Sequence, residues 1–230
     1  MGVSRGLCGI CVCGGLPYEV NTQSTVKYIK LLPAGDSITE GFNCSGAIGG
    51  WREPLQAYLG ATNAIYDFVG TGPTMPYSFG MTDPEHSGWA GYCVAPSGCG
   101  YGSLLTKIPA DAAAYLPDII VLMAGTNDAL SSSLVSTFTA NYNTLLDAII
   151  AASPSSRIII VAIPNAKSNQ TVINSFISQY NVQLQSIAFS RGLSYAAIPN
   201  IPDSDIDGCY DWHYKTAGNV TMAQAILGVI

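Results

Sequence analysis

"VKYIKLLPAGDSITEG", residues 26–41, carries an apolar run into a glycine-bounded turn with Ser37 just past the end of the run. A serine in a turn ordinarily bonds nearby backbone groups, so the stretch alone is compatible with a plain turn. Its meaning depends on the runs that resemble it. "IYDFVG" (65–70), "DIIVLMAG" (118–125), "RIIIVAIP" (157–164) and "LSYAAIP" (193–199) all read as strands. Three of the runs are nearly continuous Val, Ile and Leu, the pattern of strands covered on both faces of a parallel sheet.

Helical patterns separate them. In "LVSTFTANYNTLLDAIIAA" (134–152), Leu134, Phe138, Tyr142, Leu145 and Ile149 fall three or four apart and share one face. Ile173, Phe176, Ile177, Tyr180, Leu184 and Ile187 repeat the spacing, and helical stretches are also expected in 49–60 and 216–230. This alternation builds right-handed βαβ units into one open sheet with helices on both faces. A single domain over residues 25–230 follows, preceded by an N-terminal segment, 1–24. Ligands of such sheets bind beyond the carboxyl ends of the strands, which is where Ser37 stands.

Composition narrows the partners. Hydrophobic residues make up 48% of the chain and charged ones only 10%, with a net charge of -6. Nucleic acid and anionic membrane both require clustered Lys and Arg, and no basic run occurs. No apolar stretch is long enough to span a bilayer, and no internal repeat is found.

Polar residues gather after the strands. "GDS" (35–37) follows the first, "HSGWAG" (86–91) lies in the long loop after the second, "GTND" (125–128) follows the third, and "DWH" (211–213) follows the fifth. A serine hydroxyl becomes a useful nucleophile only when a base takes its proton. His213 is the candidate base, because an imidazole titrates near neutral pH. The tetrahedral intermediate of acyl transfer also needs preorganised donors for its oxyanion. Candidates are the N–H of Ser37, the N–H of Gly88 and the side-chain amide of Asn127, with Gly72 and Gly91 as rivals to Gly88. The plain alternatives are that Gly88 permits a turn and Asn127 caps a helix. Asp36 and Asp128 read as turn residues bonded to local backbone.

The four blocks, in this order, resemble the SGNH (GDSL-like) hydrolase superfamily. The fuller pattern "GDSITEG…GGWREPL…DFVGTG…EHSGW…GTND" is most similar to the acetylxylan esterases of carbohydrate esterase family 3. The resemblance implies a three-layer α/β/α sandwich on a flavodoxin-like, five-stranded parallel sheet of order 2-1-3-4-5. It further implies a serine ester hydrolase that needs no cofactor or metal, with Ser37 and His213 catalytic and Ser37, Gly88 and Asn127 forming the oxyanion hole. The chain departs from the family at the acid. The family places Asp three residues before the histidine, where this sequence has Tyr210. Asp211, two residues before, is expected to orient His213, with Asp207, Asp205 or a backbone carbonyl as alternatives. Ser37 is not in the G-x-S-x-G elbow of the α/β-hydrolases, since Thr39 takes the place of the second glycine.

Trp51, Arg52 and Trp89 are candidate substrate contacts, although a Trp at a helix start is as often core. The insertion "AGYCVAPSGCGYG" (90–102) is expected to line the cleft, with Trp89, Tyr92 and Tyr101 as platforms for sugar rings. The expected substrate is acetylated polysaccharide, chiefly acetylxylan, or a small acyl ester. A general esterase or lysophospholipase of the same fold, and an inactive carbohydrate-binding relative, are the competing readings. A metal site at Asp83, Glu85 and His86 is a weak signal and is set aside.

The chain holds seven cysteines. Cys93 and Cys99 bracket a Pro/Gly loop that a disulfide would close, and Cys44 and Cys209 are expected to lie near each other. Cys8, Cys11 and Cys13 remain, and only two histidines accompany them, which argues against a zinc site. Sequons at Asn43, Asn169 and Asn219, with the first twenty residues resembling a truncated signal peptide, favour a secreted glycoprotein. A monomer is the expected state.

Overall fold

The computed structural model describes residues 26–42, 49–74, 80–97, 99–208 and 210–230. The N-terminal segment with Cys8, Cys11 and Cys13, the Asn43 sequon, and the Cys44–Cys209 pairing lie outside these residues. The elements, in chain order, are β1 (Lys27–Gly35), α1 (Ser37–Glu40), α2 (Arg52–Leu59), β2 (Ala64–Phe68), β3 (Ser87–Gly88), β4 (Tyr92–Cys93) and β5 (Gly102–Ser103). There follow α3 (Ile108–Tyr115), β6 (Ile119–Met123), α4 (Thr126–Ala129), α5 (Phe138–Ala152), β7 (Arg157–Val161), α6 (Thr171–Arg191), β8 (Ser194–Ala196) and α7 (Thr216–Leu227).

The main sheet runs β2-β1-β6-β7-β8 and every pairing in it is parallel. Counting only the five strands expected from the sequence, this is the order 2-1-3-4-5. The pleat sends alternate residues to two cores. Leu32, Ala34, Ile120, Leu122, Ile158 and Ile160 pack with Ile108 of α3, Tyr142 and Leu145 of α5, and Tyr180 and Leu184 of α6. Leu31, Val121, Met123, Ile159 and Val161 face the other way, onto Leu55 of α2 and Met222 and Ile226 of α7. Because both faces are covered, the central strands are apolar throughout, and the three layers follow from that.

Three short strands were not legible: β4 and β5, which pair with each other, and β3, which joins the main sheet. Ser87 and Gly88 form β3, which pairs with Ala34 and Gly35 beyond the point where β2 stops at Leu31. Pro33 stands between the two partners, where its missing N–H interrupts no ladder bond. This short pairing draws the 86–91 block against the carboxyl end of β1, directly behind the turn that carries Ser37. Gly35 is obligatory at that end: with φ 155°, a Cβ there would meet the Met123 carbonyl oxygen at 1.9 Å.

Candidate active site

The chain turns from β1 into α1 through Asp36, whose carboxylate caps the helix. Its oxygens accept from the N–H of Ile38 at 3.1 Å and from the N–H of Thr126 at 3.2 Å. One buried side chain thereby ties the GDS turn to the GTND turn after β6. Burial pushes the Asp36 carboxyl up to about 6, with these two bonds opposing the shift. Ser37 is the first residue of α1, so its N–H has no carbonyl within the helix to bond.

The Ser37 hydroxyl lies 2.9 Å from Nε2 of His213, which reaches it from 176 residues further along the chain. The imidazole is buried, and that desolvation lowers its pKa to about 4, against an opposing pull from the charge of Asp207. At neutral pH it is therefore uncharged and able to accept a proton. Three rings surround it. Phe42 and Tyr210 each stand 5.2 Å from it between centroids, and Trp212 lies at 6.5 Å.

Its Nδ1, however, has no hydrogen-bond partner among the described residues. Asp211, expected from the sequence to orient the ring, faces elsewhere. Its carboxylate pairs with Lys167 Nζ at 3.0 Å and accepts from Gln170 Nε2 at 2.6 Å. The physical reason is charge: two residues before His213 the side chain reaches the 167–170 segment, where a lysine offers a better partner than a neutral imidazole. Asp207 is buried beside the ring, and its N–H donates to the His213 carbonyl at 2.7 Å. Asp205 is engaged within its own segment, its carboxylate accepting from the Ser204 hydroxyl at 3.1 Å and its carbonyl from Lys215 N–H.

A cavity of about 640 Å³ opens above Ser37 and His213. Asn127 lines it, spending one amide proton on the Tyr92 carbonyl at 2.9 Å and keeping the second. Gly88 is placed differently. Its N–H donates to Nδ1 of His86 at 2.9 Å, and a Cβ on it would meet the Glu40 nitrogen of α1 at 2.4 Å. The glycine is required there by the close approach of β3 to α1. From this block it is Trp89, Ala90 and Gly91 that line the cavity, and the Ala90 N–H is fixed by the Glu40 carboxylate at 2.6 Å. The 90–102 insertion supplies the rest of that wall through Tyr92 and Tyr101. It is closed by a Cys93–Cys99 disulfide and anchored by Asp128, which accepts from the N–H groups of Val94 and Ala95.

The sequence matches the GDSL-like Lipase/Acylhydrolase family over residues 34–220, a span that holds both Ser37 and His213. The chain belongs to that family. A curated relative, a multidomain esterase of Ruminococcus flavefaciens, is 34% identical over 134 residues, 52% of this chain. The chain spans only 17% of that relative's length. Among solved structures, a family 3 carbohydrate esterase of Clostridium thermocellum superposes with a TM-score of 0.71 at 21% identity, covering 88% of this chain and 95% of that one. One from Talaromyces cellulolyticus gives 0.65 at 21% identity, covering 86% and 94%. A carbohydrate acetylesterase of Sinorhizobium meliloti gives 0.62 at 16% identity, covering 88% and 97%. At such identities these likenesses speak for the fold.

Other GDSL-block neighbours are structural in this chain. Trp51 is fully buried in the core against α2, which excludes it as a substrate contact. Arg52 is fully buried too, giving Nε to the Thr39 carbonyl at 2.7 Å and its terminal nitrogens to the carbonyls of Pro84 and Glu40. It clamps α1 from behind, and desolvation lowers its pKa to about 9 against the nearby carboxylates. Of the three expected contacts only Trp89 lines the cavity. His86 bonds the Pro73 carbonyl through Nε2 at 2.9 Å, and burial depresses its pKa to about 3. No cluster of metal-ligating side chains occurs among the described residues. Asn219 is buried on α7 with its amide bonded to the Tyr214 carbonyl, so that sequon is inaccessible to a glycan, while Asn169 is exposed.

Sequence reasoning missed Phe42 and Glu40. Both lie in or next to the quoted stretch, yet an isolated Phe after a turn and a Glu in a turn carry no periodic signal. No described helix is long and apolar enough to cross a membrane.

Proposed function

We propose that the chain is a serine ester hydrolase that removes acetyl groups from acetylated polysaccharide, acetylxylan foremost, and that it acts outside the cell. The observation that carries this reading is the 2.9 Å contact between Ser37 Oγ and an uncharged His213 Nε2, opening into an aromatic-walled cavity. Six aromatic side chains line it, Phe42, Trp89, Tyr92, Tyr101, Tyr210 and Trp212, and those of Trp89, Tyr92 and Tyr101 suit the apolar faces of sugar rings.

In this mechanism His213 Nε2 takes the hydroxyl proton as Ser37 Oγ attacks the ester carbonyl carbon. The negative oxygen of the tetrahedral intermediate is received by the Ser37 N–H and the free amide proton of Asn127. Gly88 would join them only if its N–H left His86. The intermediate collapses as the bond to the sugar oxygen breaks and His213 gives that oxygen its proton, releasing the sugar hydroxyl and leaving an acetyl-serine. Water, deprotonated by the same nitrogen, then releases acetate.

Acetate release from acetylxylan should exceed hydrolysis of long-chain p-nitrophenyl esters, and fluorophosphonate should label Ser37. Preference for long acyl chains would favour a general esterase or lysophospholipase. Xylan binding without labelling would make the chain a carbohydrate-binding protein.

A further inference from the structure

Tyr210 occupies the position three residues before the histidine, and the structure gives that position a task other than carboxylate bonding. The Tyr210 ring meets the His213 imidazole edge to face, at an interplanar angle of 84° and 5.2 Å between centroids. Phe42 meets the same imidazole at 5.2 Å and Tyr210 itself at 5.5 Å, so the three rings close a triangle. Each separation lies in the range that favours tilted aromatic pairs. Phe42 directly follows the α1 turn that carries Ser37, whereas Tyr210 and His213 belong to the loop before α7. The triangle therefore joins the nucleophile's segment to the base's loop. Backbone reinforces it, since the His213 N–H donates to the Tyr210 carbonyl at 3.2 Å.

The usual device for orienting a catalytic imidazole is a hydrogen bond on the nitrogen away from the nucleophile. Here Nδ1 makes none among the described residues. The charged groups nearby leave the orientation to the rings. Asp211 is held by Lys167, and Glu40 by the Ala90 N–H. Asp207 acts on His213 through its charge, and Asp36 is committed to the backbone of Ile38 and Thr126.

From this arrangement we infer that Tyr210, closing on Phe42, is a positioning residue that holds His213 toward Ser37 by ring packing in place of a hydrogen bond on Nδ1. The inference rests on the reading of Ser37 and His213 as nucleophile and base, and it predicts an effect on the imidazole that does not require turnover. With only two histidines in the chain, ¹H–¹³C NMR resolves the titration of each. Tyr210→Phe should leave the His213 titration unchanged and hold kcat on p-nitrophenyl acetate within about twofold. Tyr210→Ala should admit water, raise the His213 midpoint by about one unit or more, and lower kcat about tenfold on both p-nitrophenyl acetate and acetylxylan. Tyr210→Leu, which keeps apolar bulk without a ring, should lower kcat in the same direction while moving the His213 midpoint less. The buried His86, staying silent over the same pH range, reports that each variant is folded.

An unchanged titration and kcat in Tyr210→Ala, or an unchanged kcat in Tyr210→Leu, would overturn the inference. So would a rise in KM confined to acetylxylan, which would make Tyr210 a sugar platform instead. A wild-type chain that hydrolyses neither ester while its His213 midpoint still moves in Tyr210→Ala would remove the esterase reading and leave the clamp standing.

Discussion

The two partners of the Ser37–His213 contact are held by different physics. On the serine side everything is backbone and charge: Asp36 fixes two N–H groups, Arg52 draws in two carbonyls of α1, and Gly35 and Gly88 let the main chains nearly touch. On the histidine side the grip is apolar, from Phe42, Tyr210 and Trp212, with the carboxylate two residues before it in the chain, Asp211, bonded away to Lys167. Hydrogen-bonded turns demand particular residues at particular places, whereas ring packing tolerates many sequences. A site can thus be rigid by composition at one end and by shape at the other.

The sharpest way to separate the two sides is to remove the nucleophile. Ser37→Ala should lower esterase turnover by at least about 10³-fold and abolish fluorophosphonate labelling, with thermal unfolding little changed. Residual labelling at another serine would move the nucleophile and dissolve the comparison. A smaller effect should come from the serine side's support. Asp36→Ala strands the buried N–H groups of Ile38 and Thr126 and should cost about 2–4 kcal/mol in urea unfolding. An exposed-residue effect, near zero, would show that the two turns are not joined through this carboxylate.

That asymmetry also governs what could be read in advance. The five strands and the alternation of helices were legible because the central strands are buried on both faces, which writes continuous Val/Ile/Leu runs into the sequence, whereas their order was implied by the family resemblance alone. GDS and GTND were legible because turns of this kind need Asp, Gly and Asn. β3 was not, since two residues of Ser and Gly carry no hydrophobic period. Trp51 and Arg52 were misplaced because a cationic and an aromatic side chain beside a catalytic block look like ligand contacts until burial is known. Asp211 was misread for a related reason: spacing along the chain says which carboxylate is near a histidine, but not that Lys167, 44 residues earlier, will claim it.

Acid should find the histidines of both regions. His86 behind Gly88 and His213 above Ser37 have folded pKa values depressed to about 3 and about 4. Between those values and the unfolded value near 6.5 the unfolded chain binds more protons, so stability is complete above about pH 6.5 and declines as pH falls. The loss from each should reach about 3 kcal/mol near pH 4. Denaturant titrations at pH 7 and 4.5 should show it, and His86→Gln should flatten the slope. Esterase activity, in contrast, should persist until pH approaches 4, where His213 gains its proton. An acid limb centred on 6.5 would mean that the rings do not desolvate the base.

The smallest effects discriminate between the two carboxylates. Asp207 is buried and its negative charge holds the imidazole pKa up, making His213 a stronger base than burial alone would leave it. Asp207→Asn should therefore lower kcat about tenfold and move the acid limb further down in pH. Asp211→Asn releases Lys167 and Gln170 at a partly exposed pair, a solvent-screened contact that contributes little to stability. Its kcat should stay within about threefold of the wild type, and its pH profile should not move. Sequence spacing alone expects the reverse order, with Asp211 the more damaging. If Asp211→Asn proved the worse variant, the carboxylate must swing from Lys167 to Nδ1 in the working enzyme, and the histidine side would be held by charge after all.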